Sequence, residues 1–302
     1  MLSEKQIQNA SRIFIVLPKA LGDLIASEPI VRYLHRLNPK AKLVWVADKV
    51  YSDFLLQNPF LFAVVGVDSW KEAFDFISSH ATDVVVDCCY DGKICPITKA
   101  LHRNPHHPEI NESTYYDYGT LLETFCETAG LPPLKDGPQV YGREPLNDLP
   151  ENYVVFHCLS SEAARNWDKE KWNRLAEWLF EHKIPLVEIG YEKVIQTPSP
   201  FYHSFCGKRT LSQINTLIEK STLFVGVDSG FAHIANALQK QAVILLGRYR
   251  NFAHPMPYNG YFEKNALLLY PSDNGTVQNL TLEEVKEAIF SKLFQKRLDK
   301  EF

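Results

Sequence analysis

One short stretch in the second half of the chain gathers residues that could hold a phosphate: Gly226-Val227-Asp228-Ser229-Gly230-Phe231-Ala232-His233. It follows the apolar run Thr222 to Val225 and reads as a strand that ends in a glycine-containing turn and opens a helix. Such a turn points backbone N–H groups and the positive end of a helix beyond the strand end, which suits a diphosphate without a metal ion. Gly230 lets the backbone approach a ligand closely. His233 falls one helical turn on, on the face that looks back at the turn. Its imidazole can donate to a phosphate or stand as a satisfied core histidine, and spacing alone weighs the two evenly.

A second turn of the same kind occupies the first half: Pro18-Lys19-Ala20-Leu21-Gly22-Asp23-Leu24, directly after Ile13 to Leu17. A carboxylate at Asp23 can take the proton from a sugar hydroxyl as that hydroxyl attacks. Aspartate is also a preferred helix N-cap, and from spacing alone the capping role carries more weight. A third element, His157-Cys158-Leu159-Ser160-Ser161 with Arg165-Asn166-Trp167, again trails a strand and precedes a helix. The hydroxyls of Ser160 and Ser161 and the guanidinium of Arg165 would complement a pyrophosphate, Arg165 neutralising charge on the leaving group. The plain alternative is a polar loop with Trp167 and Trp172 packed on the sheet.

Cys88, Cys89 and Cys95 precede His102, His106 and His107 in one irregular segment. Their spacing is not that of a zinc site, so the segment reads as strand-end thiols and a basic, histidine-rich loop, with no metal. Lys93, Lys99 and Arg103 there would suit an anionic acceptor, or are ordinary solvated charges. The chain has no Gly-x-Gly-x-x-Gly fingerprint, which counts against a nicotinamide oxidoreductase, and no P-loop motif. It has no Asp-x-Asp tripeptide to hold a metal on a sugar nucleotide.

The elements that must position these residues alternate. Strands are expected over 12–17, 42–46, 63–67 and 83–87, and helices over 23–37, 51–57, 71–79 and 116–129. The proline-rich stretch 131–149 reads as a linker. Beyond it come strands over 153–157, 186–189, 223–227 and 242–246, and helices over 169–182, 211–220 and 230–238. A Thr281–Glu284 capping box opens a terminal helix, 281–296. Apolar runs between helices fit parallel sheets covered on both faces. The class is therefore α/β, with two doubly wound domains, 1–145 and 146–302, facing across a cleft, the terminal helix docking on the first domain.

A length of 302 residues suits two domains, and 45% hydrophobic with 23% charged residues excludes disorder. A net charge of −4 gives no field to attract nucleic acid. Six scattered cysteines read as reduced thiols. The N-terminus lacks a signal-peptide profile and no apolar run could span a bilayer. The expectation is a cytoplasmic protein, with peripheral contact at the inner membrane compatible with it.

Leu21-Gly22-Asp23-Leu24 with Pro29, His157 through Trp167, and Gly226 through Ala235 together resemble glycosyltransferase family 9, whose best-known members are the bacterial lipopolysaccharide heptosyltransferases. The order and spacing agree over residues 12–250. The resemblance implies a GT-B fold with Rossmann-like domains, the N-terminal one binding acceptor and the C-terminal one donor. It also implies an inverting mechanism, a nucleotide-diphosphate sugar (usually ADP-heptose), a glycan or glycolipid acceptor such as a lipopolysaccharide core, and no cofactor. Asp23 would be the general base. Ser160, Ser161, Ser229, Gly230 and His233 would meet the diphosphate, Asp228 the donor and Glu192 its ribose. Arg165 stands where relatives usually carry a lysine. Where many relatives read Gly-Pro-Thr, this chain has Gly247-Arg248-Tyr249-Arg250-Asn251-Phe252, a change that bears on the donor sugar. A sugar-nucleotide epimerase or hydrolase on the same fold, and a non-catalytic member that binds a nucleotide sugar or a partner, are the alternatives.

Overall fold

The computed structural model describes residues 2–79, 84–92, 94, 99, 101–104, 107–147, 149–207, 209–255, 257–260 and 262–298. The chain divides into two α/β units, Met1–Gly142 with Met256–Gly260, and Arg143–Pro255 with Tyr261–Phe302.

The first unit runs α1 (Glu4–Asn9), β1 (Arg12–Val16), α2 (Leu21–Ala26), α3 (Glu28–Leu37), β2 (Lys42–Asp48), α4 (Ser52–Leu55), β3 (Ala63–Val67), α5 (Trp70–Ser78), β4 (Val84–Asp87) and α6 (Leu121–Thr128). Its strands pair in the order β3-β2-β1-β4, every pair parallel. Ile13 to Val16 and Leu43 to Ala47 are continuous buried runs, the pattern of strands covered on both faces.

Two expected helices are broken. The one over 23–37 is α2 followed by α3, because Pro29 has no N–H to donate and is tolerated only in a first turn. The one over 116–129 shrinks to α6, because Gly119 has a φ of 91° and Thr120 then opens the helix in a capping box with Glu123. The stretch 131–147 has no regular structure. It is tied to α3, where the buried carboxylate of Glu28 accepts from the Gln139 N–H at 2.9 Å and the Tyr141 hydroxyl at 2.8 Å.

The second unit runs β5 (Val154–His157), α7 (Lys169–Glu181), β6 (Leu186–Glu188), β7 (Tyr202–Ser204), α8 (Leu211–Lys220), β8 (Leu223–Val227), α9 (Gly230–Ala237), β9 (Ala242–Leu245), α10 (Phe262–Asn265), β10 (Ala266–Leu269) and α11 (Leu282–Leu298). The parallel order is β10-β9-β8-β5-β6-β7, the arrangement of a Rossmann sheet. Trp167 and Trp172 pack edge to face at 5.2 Å in its core, and the Trp167 indole N–H donates to the Leu280 carbonyl at 3.0 Å. α11 adds Leu282, Val285, Ala288 and Ile289 to that same core. Both units are thus Rossmann-like parallel sheets, the class expected for a GT-B chain.

Candidate functional site

In an open parallel sheet, ligands gather beyond the carboxyl ends of the strands where the strand order reverses. In the second unit that point lies between β5 and β8, with His157 registered beside Gly226. The segments leaving these strands, 158–166 and 228–233, therefore emerge side by side.

Ser229 is the N-cap of α9, and its Oγ accepts from the Ala232 N–H at 3.4 Å. The same oxygen lies 3.0 Å from Nδ1 of the buried His157. Burial pushes the His157 imidazole down to about 3, so the ring is neutral. With its proton on Nδ1, His157 donates to Ser229 Oγ and leaves the serine proton to donate to a ligand. Arg165 lies in the same group, its Nη1 3.2 Å from Asp228 Oδ2 and its Cζ 4.0 Å from the centroid of the Tyr249 ring. The Ser160 N–H donates to Asn166 Oδ1 at 2.7 Å, and its hydroxyl accepts from the Glu162 N–H at 3.1 Å. Ser161 is exposed, and His233 is buried on α9.

Glu192 is exposed in the loop after β6, beyond Gly190 with its φ of 146°. The buried carboxylate of that strand is Glu188, which accepts from the Val194 and Ile195 N–H groups at 2.7 and 3.3 Å. Two further aromatics come near these groups. Tyr249 comes from the altered loop, and the Tyr270 phenol, after β10, is pushed up by burial and by the charge of Asp228. The sequence had singled out the loop of Tyr249 but not its ring, and gave no signal for Tyr270.

In the first unit the order reverses between β1 and β4. Asp23 is half-buried in the first turn of α2, where the N-cap is Ala20, so Asp23 is not the cap residue. The Tyr51 phenol is pushed up by burial, with the charges of Asp48 and Asp23 adding to the effect. Lys19 is buried with its ammonium 3.6 Å from the centroid of Tyr90, a cation–π contact.

At the end of β4 and after it, donor atoms of Asp87, Cys89 and His102 lie within 4.8 Å of one another. These are ligand types that zinc takes, brought together by folding rather than by spacing. A direct contact joins two of them, His102 Nε2 to Asp87 Oδ2 at 3.3 Å, and the Lys19 charge acts on the Cys89 thiol and opposes a cation there. Burial pushes that thiol well up. Of the expected acceptor cations, Arg103 pairs with the buried Asp91 at 3.0 Å and Lys99 is exposed with a φ of 58°. Lys93, Cys95 and His106 lie outside the described residues. Among the described residues no helix is long and apolar enough to cross a membrane.

Residues 135–261 match the family model for glycosyltransferase family 9 (heptosyltransferase). The chain is 27% identical over 114 residues to lipopolysaccharide heptosyltransferase 3 of Escherichia coli, a match covering 32% of each protein. It is 29% identical over 131 residues to the lipopolysaccharide core heptosyltransferase OpsX of Haemophilus influenzae, covering 38% of this chain and 37% of the relative. The matched segment thus spans about a third of the length of these relatives. In three dimensions the chain is similar to E. coli ADP-heptose lipopolysaccharide heptosyltransferase II, with a TM-score of 0.70 and 17% identity over 95% of this chain and 99% of that one. At that identity the likeness speaks for the fold. The segments 158–166 and 228–233 that leave β5 and β8, and Tyr249, lie inside the part of the chain that matches glycosyltransferase family 9.

Proposed function

We propose that this protein is an inverting glycosyltransferase that moves a heptose-like sugar from an ADP-linked donor to a hydroxyl of a lipopolysaccharide core or related glycan. The observation that supports this most is the grouping of Arg165, Asp228, Ser229 and His157 at the switch point of the second unit, at the positive end of α9. The donor diphosphate binds there through N–H groups of the α9 turn at Gly230, the hydroxyls of Ser160, Ser161 and Ser229, and the imidazole of His233. Asp228 and Glu192 meet the rest of the donor. The acceptor binds on the first unit, its anionic groups meeting Lys93, Lys99 and Arg103. As the acceptor oxygen bonds to the anomeric carbon, its proton passes to Asp23. The carbon–oxygen bond to the diphosphate breaks on the opposite face, and Arg165 neutralises the charge left on the departing group. Binding through N–H groups and a guanidinium needs no metal. The work is placed in the cytoplasm, with peripheral contact at the inner membrane.

The test separates chemistry from binding. Asp23→Asn should lower sugar transfer by about a hundredfold or more, the size of a general-base contribution, and leave ADP affinity unchanged. A variant that loses ADP binding, or keeps full transfer, would remove Asp23 from the base role.

A further inference from the structure

The loop 247–252 is where this chain departs from the family pattern it resembles, and it brings a ring to the candidate site. A Cβ on Gly247 would lie 2.1 Å from the Val277 nitrogen, so the chain leaves β9 pressed against the 276–279 turn. The Arg248 N–H then donates to the Gly275 carbonyl at 2.8 Å. Held in this way, the loop places Tyr249 at 6% exposure under Arg165.

The contact has support on both sides. The guanidinium of Arg165 stands 4.0 Å from the Tyr249 centroid, and Asp228 holds one of its nitrogens at 3.2 Å. Glu162, three residues before Arg165, is close enough for its carboxylate to help push the Tyr249 phenol up. Arg250 stands 5.0 Å from the same ring and reaches Glu162 at 3.8 Å. The altered loop and the loop that carries Arg165 are therefore joined at several points around one ring.

We propose that Tyr249 is a positioning residue for Arg165, its ring fixing the plane of the guanidinium so that its outer edge faces the donor diphosphate. The proposal rests on the reading of Arg165 as the cation of the diphosphate site. A long arginine loses rotamer freedom when it binds a ligand, and a ring that already restricts it lowers that cost. The ring also accounts for arginine where relatives usually carry lysine. A planar guanidinium can stack and still present a fork of donors, whereas a lysine ammonium is a point charge.

The test has two readouts on the full chain. The first needs no ligand: the Nε–H resonance of Arg165, whose nitrogen is buried, is followed by nitrogen-15 NMR and assigned with Arg165→Lys. The ring current of Tyr249 should shift this proton in the wild type and in Tyr249→Phe, and the shift should vanish in Tyr249→Leu. An unmoved resonance in Tyr249→Leu would overturn the contact.

The second readout is ADP affinity by calorimetry. Tyr249→Leu should weaken ADP about tenfold, the factor a partly desolvated cation–π contact carries, and Tyr249→Phe by much less. In an Arg165→Lys background the Tyr249→Leu loss should largely disappear, since coupled residues are not additive. Simple additivity would overturn the positioning role. If Arg165→Ala leaves ADP affinity unchanged while the resonance behaves as expected, the stacked pair stands and the diphosphate reading of Arg165 falls.

Discussion

His157 stands where β5 ends and Ser229 where α9 begins, and their 3.0 Å contact joins the two segments of the site. The imidazole takes up a proton near 6.5 in the unfolded chain but only near 3 when folded, because burial penalises its charge. The stability it contributes is therefore complete above about pH 6.5 and is lost as pH falls from there toward 3. Urea unfolding of the wild type should show a midpoint that drops below pH 6.5, and His157→Asn should drop less steeply, by the share of one proton. Equal slopes would mean that His157 is not held neutral. The sequence placed His157 at the head of the third candidate element, where a strand ends, but gave it no role of its own. Its partnership with Ser229 follows from β5 and β8 becoming neighbours, which no local pattern encodes. The same holds for Asp87, Cys89 and His102, where folding assembles side chains that spacing had kept apart.

At the scale of elements, the first unit depends on how the irregular stretch after α6 is fastened. Glu28 on α3 accepts from Gln139 and Tyr141 and pairs with Arg32 at 3.0 Å, while Arg32 donates to the Gly137 carbonyl. Glu28→Ala would remove the carboxylate that accepts from the Gln139 N–H, the Tyr141 hydroxyl and Arg32 Nε. The cost should be about 3 kcal/mol of stability, as for other half-removed buried pairs, and chemical denaturation would read it. An effect below about 0.5 kcal/mol, the size of an ordinary surface change, would mean that water replaces the carboxylate at this site. Most strands of both sheets were legible because buried parallel strands write themselves as apolar runs, as in Val84 to Val86 or Leu223 to Val227. Two were not. β7 is only three residues long at a sheet edge, and β10 is written Ala-Leu-Leu-Leu, residues with no strand preference. The α2–α3 break was legible in Pro29, but apolar periodicity runs through it and hides it.

For the whole molecule, each unit repeats one device, a parallel sheet whose order reverses beside its first strand. In the second unit the reversal holds a helix N-terminus and a guanidinium, and in the first a carboxylate. That division is what the proposed reading needs, an anionic donor on one unit and a hydroxyl to be deprotonated on the other. The net charge of −4 adds no long-range attraction for an anion, so on the proposed reading recognition of donor phosphates would fall to these local groups.

The most direct test of that division is calorimetric titration of ADP, UDP, GDP and CMP into the purified protein, without and with EDTA, and into Arg165→Ala and Ser229→Ala. The account predicts saturable binding that prefers ADP and is indifferent to EDTA. It also predicts about tenfold or greater weakening in Arg165→Ala, the loss expected for a hydrogen bond from a charged group. Ser229→Ala should weaken binding less. Binding of none of the four nucleotides, or ADP binding untouched by both substitutions, would contradict it.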